Sequence, residues 1–207
     1  MRETNPWIAR IVFGAAVAVV AGGPSAIAQQ PAIPTFGTTV VVPGGLLGVT
    51  YHISPLSKFL PDFQQLDPVG VIYTSTLNVA PRGVNEVFPG VTGRVEWFAI
   101  DYSGRFWIEK PGLYRFELTS DDGSRLYIDG RVVVNNDGIH SPETKVAAVP
   151  LDGGVHRIRV SYFQGLRDCA TLVLRVARPG EEWRVFSTDE FKPPPDPATW
   201  AYPEAAP

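Results

Sequence analysis

The chain of 207 residues has one cysteine, one methionine and three histidines, and only 19% of its residues are charged. A single thiol, Cys169, excludes a disulfide framework and any thiolate-rich zinc or iron–sulfur site, because each needs several cysteines. His52, His140 and His156 lie far apart and share no helical zinc-binding spacing. Eighteen basic residues against twenty-one acidic ones leave a net charge of −3. A strongly positive face for phosphate backbones is therefore not expected, nor is nucleic-acid binding. Gly and Pro reach twenty each, below the share that marks low-complexity disorder. Apolar residues at 44% and aromatics at 11% suffice for one domain core.

The first residues read as an export signal. Arg2 and Arg10 flank a short polar start, Ile11 to Ala21 is apolar, Gly22, Gly23 and Pro24 interrupt it, and Ala26-Ile27-Ala28 offers a cleavage site. This run is shorter than the ~20 residues a membrane-crossing helix requires. The sequence thus predicts a signal peptide over 1–28 and an extracytoplasmic mature protein without a membrane span. An extended segment over 29–43, a folded domain over 44–191 and a proline-rich tail over 192–207 complete the expected organisation.

Within the domain the dominant pattern alternates apolar and polar residues, the signature of strands with one buried face. Tyr114, Phe116 and Leu118 oppose Arg115, Glu117 and Thr119; Leu126 and Ile128 share a face; His156, Ile158, Val160 and Tyr162 oppose Arg157, Arg159 and Ser161; and Leu172, Leu174 and Val176 oppose Val173 and Arg175. Turn residues separate these runs at Pro111-Gly112, Asp122-Gly123, Asp129-Gly130, Asp137-Gly138 and Asp152-Gly153-Gly154, which predicts short hairpin turns. The fold class expected is all-β, an antiparallel β-sandwich. The only helical candidate is Ser57 to Gln65, which contains Pro61. Trp97, Trp107, Tyr114 and His156 are expected in the core, and Cys169 is expected to be partly buried.

The run from Gly112 to Gly130, containing Phe116-Glu-Leu-Thr-Ser-Asp-Asp-Gly-Ser-Arg-Leu-Tyr-Ile128, followed by Val132 to Gly138, resembles the protective-antigen (PA-14) domain family. Trp97, the strand Leu151 to Val160, Tyr162-Phe163-Gln164 and Leu172 to Val176 follow in that family's order. Where relatives usually have Trp after the Leu-x-Leu pattern, this chain has Arg175. The resemblance implies a lectin-like β-sandwich of the kind found on secreted glycosidases, adhesins and toxins. It also implies calcium-dependent sugar binding at Asp121 and Asp122, with a cis peptide between them.

On an ordinary strand successive side chains point to opposite faces, so these two carboxylates can grip one ion only where the backbone turns sharply. Calcium takes six to eight oxygens, and positions left open suit a vicinal diol. Gln164 is the favoured additional ligand by resemblance, with Asn135, Asn136 or Asp137 in the neighbouring loop, and Asn136 completing the expected metal set. Tyr127, Phe163 and Trp107 are candidates to stack on a sugar ring. Loops 54–68 and 165–170 are expected to carry specificity. Asp121-Asp122-Gly123 equally reads as a plain hairpin turn, because Asp-Gly is a strong hairpin signal.

No nucleophile elbow or Ser-His-Asp set is present, and adjacent carboxylates are too close for a glycosidase pair, whose groups sit roughly 5–9.5 Å apart. The reading is a non-catalytic carbohydrate-binding module for a glycan or cell-surface polysaccharide. The alternative is an assembly module of the cell envelope that contacts envelope proteins without binding sugar.

Overall fold

The computed structural model describes residues 44–83, 86–166 and 169–194. The expected signal peptide, the segment 29–43 and most of the proline-rich tail lie outside these residues. Among the described residues, eleven strands form two antiparallel sheets. They are β1 (Leu46–His52), β2 (Pro68–Thr74), β3 (Asn78–Gly83), β4 (Phe98–Ile108), β5 (Gly112–Asp121), β6 (Ser124–Ile128), β7 (Arg131–Asn136), β8 (Glu143–Leu151), β9 (Gly154–Gln164), β10 (Cys169–Ala177) and β11 (Arg184–Val185). One sheet has the order β2-β1-β4-β9-β6-β7. The other runs β11-β10-β5-β8, with β3 also paired to β10. Among the described residues no helix is long and apolar enough to cross a membrane.

The period-two readings hold in β5, β6, β9 and β10. Phe116, Leu118, Leu126, Val160, Tyr162, Leu172 and Leu174 are fully buried between the sheets. Each such side chain contributes about 1.5–3 kcal/mol through apolar burial. Aromatic pairs tie the layers together: Phe88 stacks on Tyr162 at 5.1 Å, and Phe106 meets Phe186 edge-on at 5.6 Å. The expected core position is met by Tyr114, whereas Trp97 and Trp107 are only partly buried. His156 is buried, but as a polar group: its Nδ1 lies 2.6 Å from Asp129 Oδ2 and its Nε2 lies 2.9 Å from Asp152 O.

Two expectations need correction. The Ser57–Gln65 stretch is helical only as a single 3-10 turn over Phe63–Gln65, capped by Asp62, whose Oδ1 accepts from Gln64 N; Pro61 and the prolines around it leave no room for more. A second 3-10 turn forms at Thr188–Glu190. Of the five expected hairpin turns, only Asp129-Gly130 is one. It joins the paired strands β6 and β7, with φ of 49° and 79°, as a two-residue turn with both central residues left-handed requires. At the other four sites the chain leaves one sheet for the other: β4 to β5, β5 to β6, β7 to β8 and β8 to β9. Strand register gathers the ends of β5, β7 and β9 and the starts of β4, β6, β8 and β10 at one end of the sandwich. Phe98 opposes Gln164, Ser124 opposes both Tyr162 and Asn136, and Asp121 opposes Thr171.

Candidate functional site

Asp121 is the last residue of β5, and Asp122-Gly123 carries the chain across to β6. Because β5 pairs with β8 and β10 while β6 pairs with β7 and β9, the plain-hairpin reading of this loop is excluded. The peptide bond joining the two aspartates is cis, as the resemblance implies. Gly123 is required for a reason other than turn conformation. A Cβ placed there would lie 2.4 Å from the Phe163 ring and 2.7 Å from Gly138 N, so only a hydrogen fits.

Both carboxylates are almost wholly buried, Asp121 at 5% and Asp122 at 4% exposure. Main-chain donors from two loops grip Asp122: Gly165 N donates to Oδ2 at 2.7 Å and His140 N donates to Oδ1 at 3.2 Å. Backbone N–H groups held in place favour the ionised carboxylate. The Tyr162 phenol, fully buried beneath, lies 2.7 Å from Asp121 O and 2.6 Å from Gln164 Oε1. One hydroxyl proton serves two acceptors there. Burial pushes the Tyr162 pKa well above its ordinary value, and the charges of Asp121 and Asp122 push it further. The cradle thus holds two buried carboxylates above a buried phenol.

The structure brings Gln164 beside Asp122, as expected, but with a particular polarity. Its Nε2 donates to Cys169 O at 2.9 Å and Leu166 O at 3.2 Å and faces Asp122 Oδ2 at 3.5 Å. Two carbonyl acceptors fix which end of the amide is nitrogen. Asn136 sits one strand away at the end of β7, fully buried, its Nδ2 donating to Ser120 Oγ and Glu143 O. Its Oδ1 is buried with no hydrogen-bond partner, a condition that water or a cation ordinarily relieves. Asn135 and Asp137 turn elsewhere: Asn135 accepts from Arg125, and Asp137 accepts from Arg125 and from Leu60 N.

Among the described residues, no three His, Cys, Asp or Glu side chains cluster to hold a metal. Any ion here would rest on two carboxylates plus amide or main-chain oxygens. That all-oxygen donor set fits a hard cation such as calcium and not zinc or copper.

Sequence reasoning missed three parts of this end of the molecule. The donors Gly165 N and His140 N belong to backbone and carry no side-chain signal. Trp97 adopts φ 57°, rare for a bulky residue, and joins segments: its N–H donates to Gly165 O, and its O accepts from Ile53 N and Arg94. With Pro55, Val87, Arg94 and Glu96 it borders a cleft of ≈ 560 Å³ that neither aspartate lines. The third is Phe59, 63% exposed, in the loop whose Leu60 N bonds Asp137.

Of the expected stacking aromatics, Phe163 is fully buried and can meet no ligand. The outer face of β9 is covered there, with Ile53, Leu60, Phe63 and Trp97 packed around Phe163. Trp107 opposes Val155 at the far end of the sheet. Tyr127 lies on the outer face under the Arg159 guanidinium, 5.1 Å from its ring centre.

Residues 89–187 match the family model of the PA14 domain. No curated protein matches the chain. Among solved structures, the chain is similar to the PA14 domain of the antifreeze protein MpAFP, at 18% identity and a TM-score of 0.59 over 70% of this chain and 88% of that one. It is similar also to a PA14 sugar-binding domain from an RTX adhesin, at 17% identity and a TM-score of 0.58 over 70% and 96%. An anti-sigma factor domain-containing protein matches at 19% identity and a TM-score of 0.58 over 74% of this chain, which spans only 48% of that protein. At these identities the likeness is one of fold. The chain thus resembles the PA14 family both in the residues that its model matches and in the sandwich into which they fold.

Proposed function

We propose that the protein is a non-catalytic carbohydrate-binding module of the extracytoplasmic space, whose calcium-dependent site is built on the Asp121–Asp122 crossover. The observation that carries this reading is the convergence of two consecutive, buried carboxylates on one cradle, with amide groups from Gln164 and Asn136 at the same end of the sandwich. Asp121 and Asp122 would hold the ion, Asn136 Oδ1 is an unspent oxygen, and Gln164 ties the carbonyls of Leu166 and Cys169 beside Asp122. Calcium supplies coordination positions that vicinal sugar hydroxyls can fill.

Likeness to a PA14 domain named as sugar-binding supports the ligand class. Phe59 replaces Phe163 and Trp107 as the aromatic proposed to stack on the pyranose, since it is exposed and its loop is tied to the β7–β8 crossover. Catalysis has no support here, because two adjacent carboxylates cannot act as the separated acid and base of glycoside hydrolysis.

Isothermal titration against a panel of neutral mono- and disaccharides, in calcium and in chelator, tests the reading. Binding that needs calcium and disappears in Asp121→Asn with Asp122→Asn supports it. Sugar binding that survives chelation, or absence of calcium binding by the wild-type chain, overturns it.

A further inference from the structure

On the outer face of the six-stranded sheet, β4 and β9 place two arginines directly opposite each other: Arg105 pairs in register with Arg157. Both are exposed, and neither guanidinium has an acidic or other hydrogen-bonding partner among the described residues. Like charges directly opposite across a sheet are destabilising. The acids nearest in the fold are already engaged. Asp129 accepts from Arg157 N through Oδ1, and its Oδ2 lies against His156 Nδ1. Asp101 receives Arg159 Nε and Ser161 Oγ.

The two arginines line a groove of ≈ 570 Å³ whose other walls include Ser103, Tyr127, Asp129 and Arg159. Arg159 is fixed there by Asp101 and by the rings of Tyr127 and Phe63. On a chain of net charge −3, this groove therefore holds a local excess of positive charge. Arg157 precedes Gln164 by seven residues along β9, roughly 23 Å at the rise of a strand, so the groove is separate from the Asp121–Asp122 cradle.

We infer that this groove is a second saccharide site, one that takes an anionic sugar bearing carboxylate or sulfate groups. A planar guanidinium matches such groups by paired N–H···O bonds. Ser103 and Tyr127 in its walls offer hydroxyls to the sugar ring. It requires no metal, and it stands independently of the calcium-dependent reading.

The test uses the whole chain with four probes: tetragalacturonate, a sulfated tetrasaccharide, neutral maltotetraose and vesicles of anionic phospholipid. All are measured in chelator, for the wild type and for Arg105→Gln with Arg157→Gln. The expected result is binding of one or both acidic tetrasaccharides, weakened about tenfold or more in the double variant. It is also expected to weaken as ionic strength rises from about 0.01 to 0.15 M, where the screening length shrinks from about 30 to 8 Å. Preference between the first two probes distinguishes carboxylate from sulfate. Arg105→Lys with Arg157→Lys keeps the charge without the fork and is expected to bind with intermediate strength. Binding of the acidic tetrasaccharides is expected to be the same in calcium as in chelator, which separates failure of this site from failure of the calcium site. Equal affinity in wild type and the Gln variant with unchanged thermal unfolding, equal affinity for maltotetraose, or binding to vesicles alone overturns the inference.

Discussion

Gly123 and Phe163 touch so closely that a methyl group on the glycine would sit 2.4 Å from the phenylalanine ring. On its other side the same methyl would meet Gly138 N and O at 2.7 and 2.8 Å, and these are backbone atoms that cannot step aside. The Gly123 carbonyl is held as well, since Phe163 N donates to it at 2.9 Å. Gly123→Ala is therefore expected to destabilise the domain by about 3 kcal/mol, the upper part of the usual range for overpacking. Urea unfolding of the variant against wild type measures it. A loss below the noise of such measurements would show that the crossover is not packed as described.

The same crossover shows what a sequence can and cannot disclose. Alternation in β5, β9 and β10 is legible because each has one face in the core, and Leu118, Val160 and Leu174 sit where that pattern puts them. β4 begins Phe98-Ala99-Ile100, buried on both faces because the 54–67 loop covers its outer side, so the local period disappears. β8 is a sheet-edge strand with little buried, which weakens its signal. Asp122-Gly123 carries the dipeptide of a hairpin, and only the distant pairing of β5 with β10 and β6 with β9 makes it a crossover. At the site, Asp121, Asp122 and Gln164 are foreseeable as residues at strand ends. The grip of Gly165 N and His140 N on Asp122 is not foreseeable, because main-chain donors look alike in every sequence.

If the two aspartates hold calcium, the ion must stabilise the fold that forms its site. At a calcium concentration about a hundred times the dissociation constant, linkage gives about 2.7 kcal/mol. For a domain of this size that corresponds to a rise of about 5–10 °C in the unfolding midpoint. Differential scanning fluorimetry with calcium and with chelator reads it. Asp121→Asn and Asp122→Asn are each expected to abolish the calcium-dependent part of the rise, and magnesium, which demands tighter octahedral geometry, is expected to give a smaller one.

Gln164 ties the end of β9 to the start of β10 through Leu166 O and Cys169 O. Replacing it with Leu leaves those two carbonyls, the Tyr162 hydroxyl and Asp122 without its amide. Buried polar groups stripped of partners cost about 1–3 kcal/mol. Because Cys169 is the residue whose carbonyl is released, the loss is expected to appear locally, as several-fold faster labelling of its thiol by an aromatic disulfide reagent. Unchanged labelling would mean that the clamp does not order this segment.

Two tyrosines give the domain a defined response to alkali. Burial pushes the Tyr102 phenol far above its ordinary value of 10.0, and Tyr162 is raised by burial first and then by Asp121 and Asp122. Tyr51 and Tyr114 are raised as well, by burial first. Below the unfolded-state pKa near 10 both native and unfolded chains carry the phenol protons, so stability there is independent of these groups. Above it the unfolded chain releases protons that the native fold retains, so alkali favours unfolding. Each strongly raised tyrosine then removes about 1.4 kcal/mol per pH unit until its native pKa is reached. The urea midpoint is accordingly expected to fall steeply above pH 10. Tyr102→Phe, which keeps the ring among Leu46, Ile100 and Val160 in the core, is expected to make that fall shallower by one proton's share. A variant as steep as wild type would place the retained proton elsewhere.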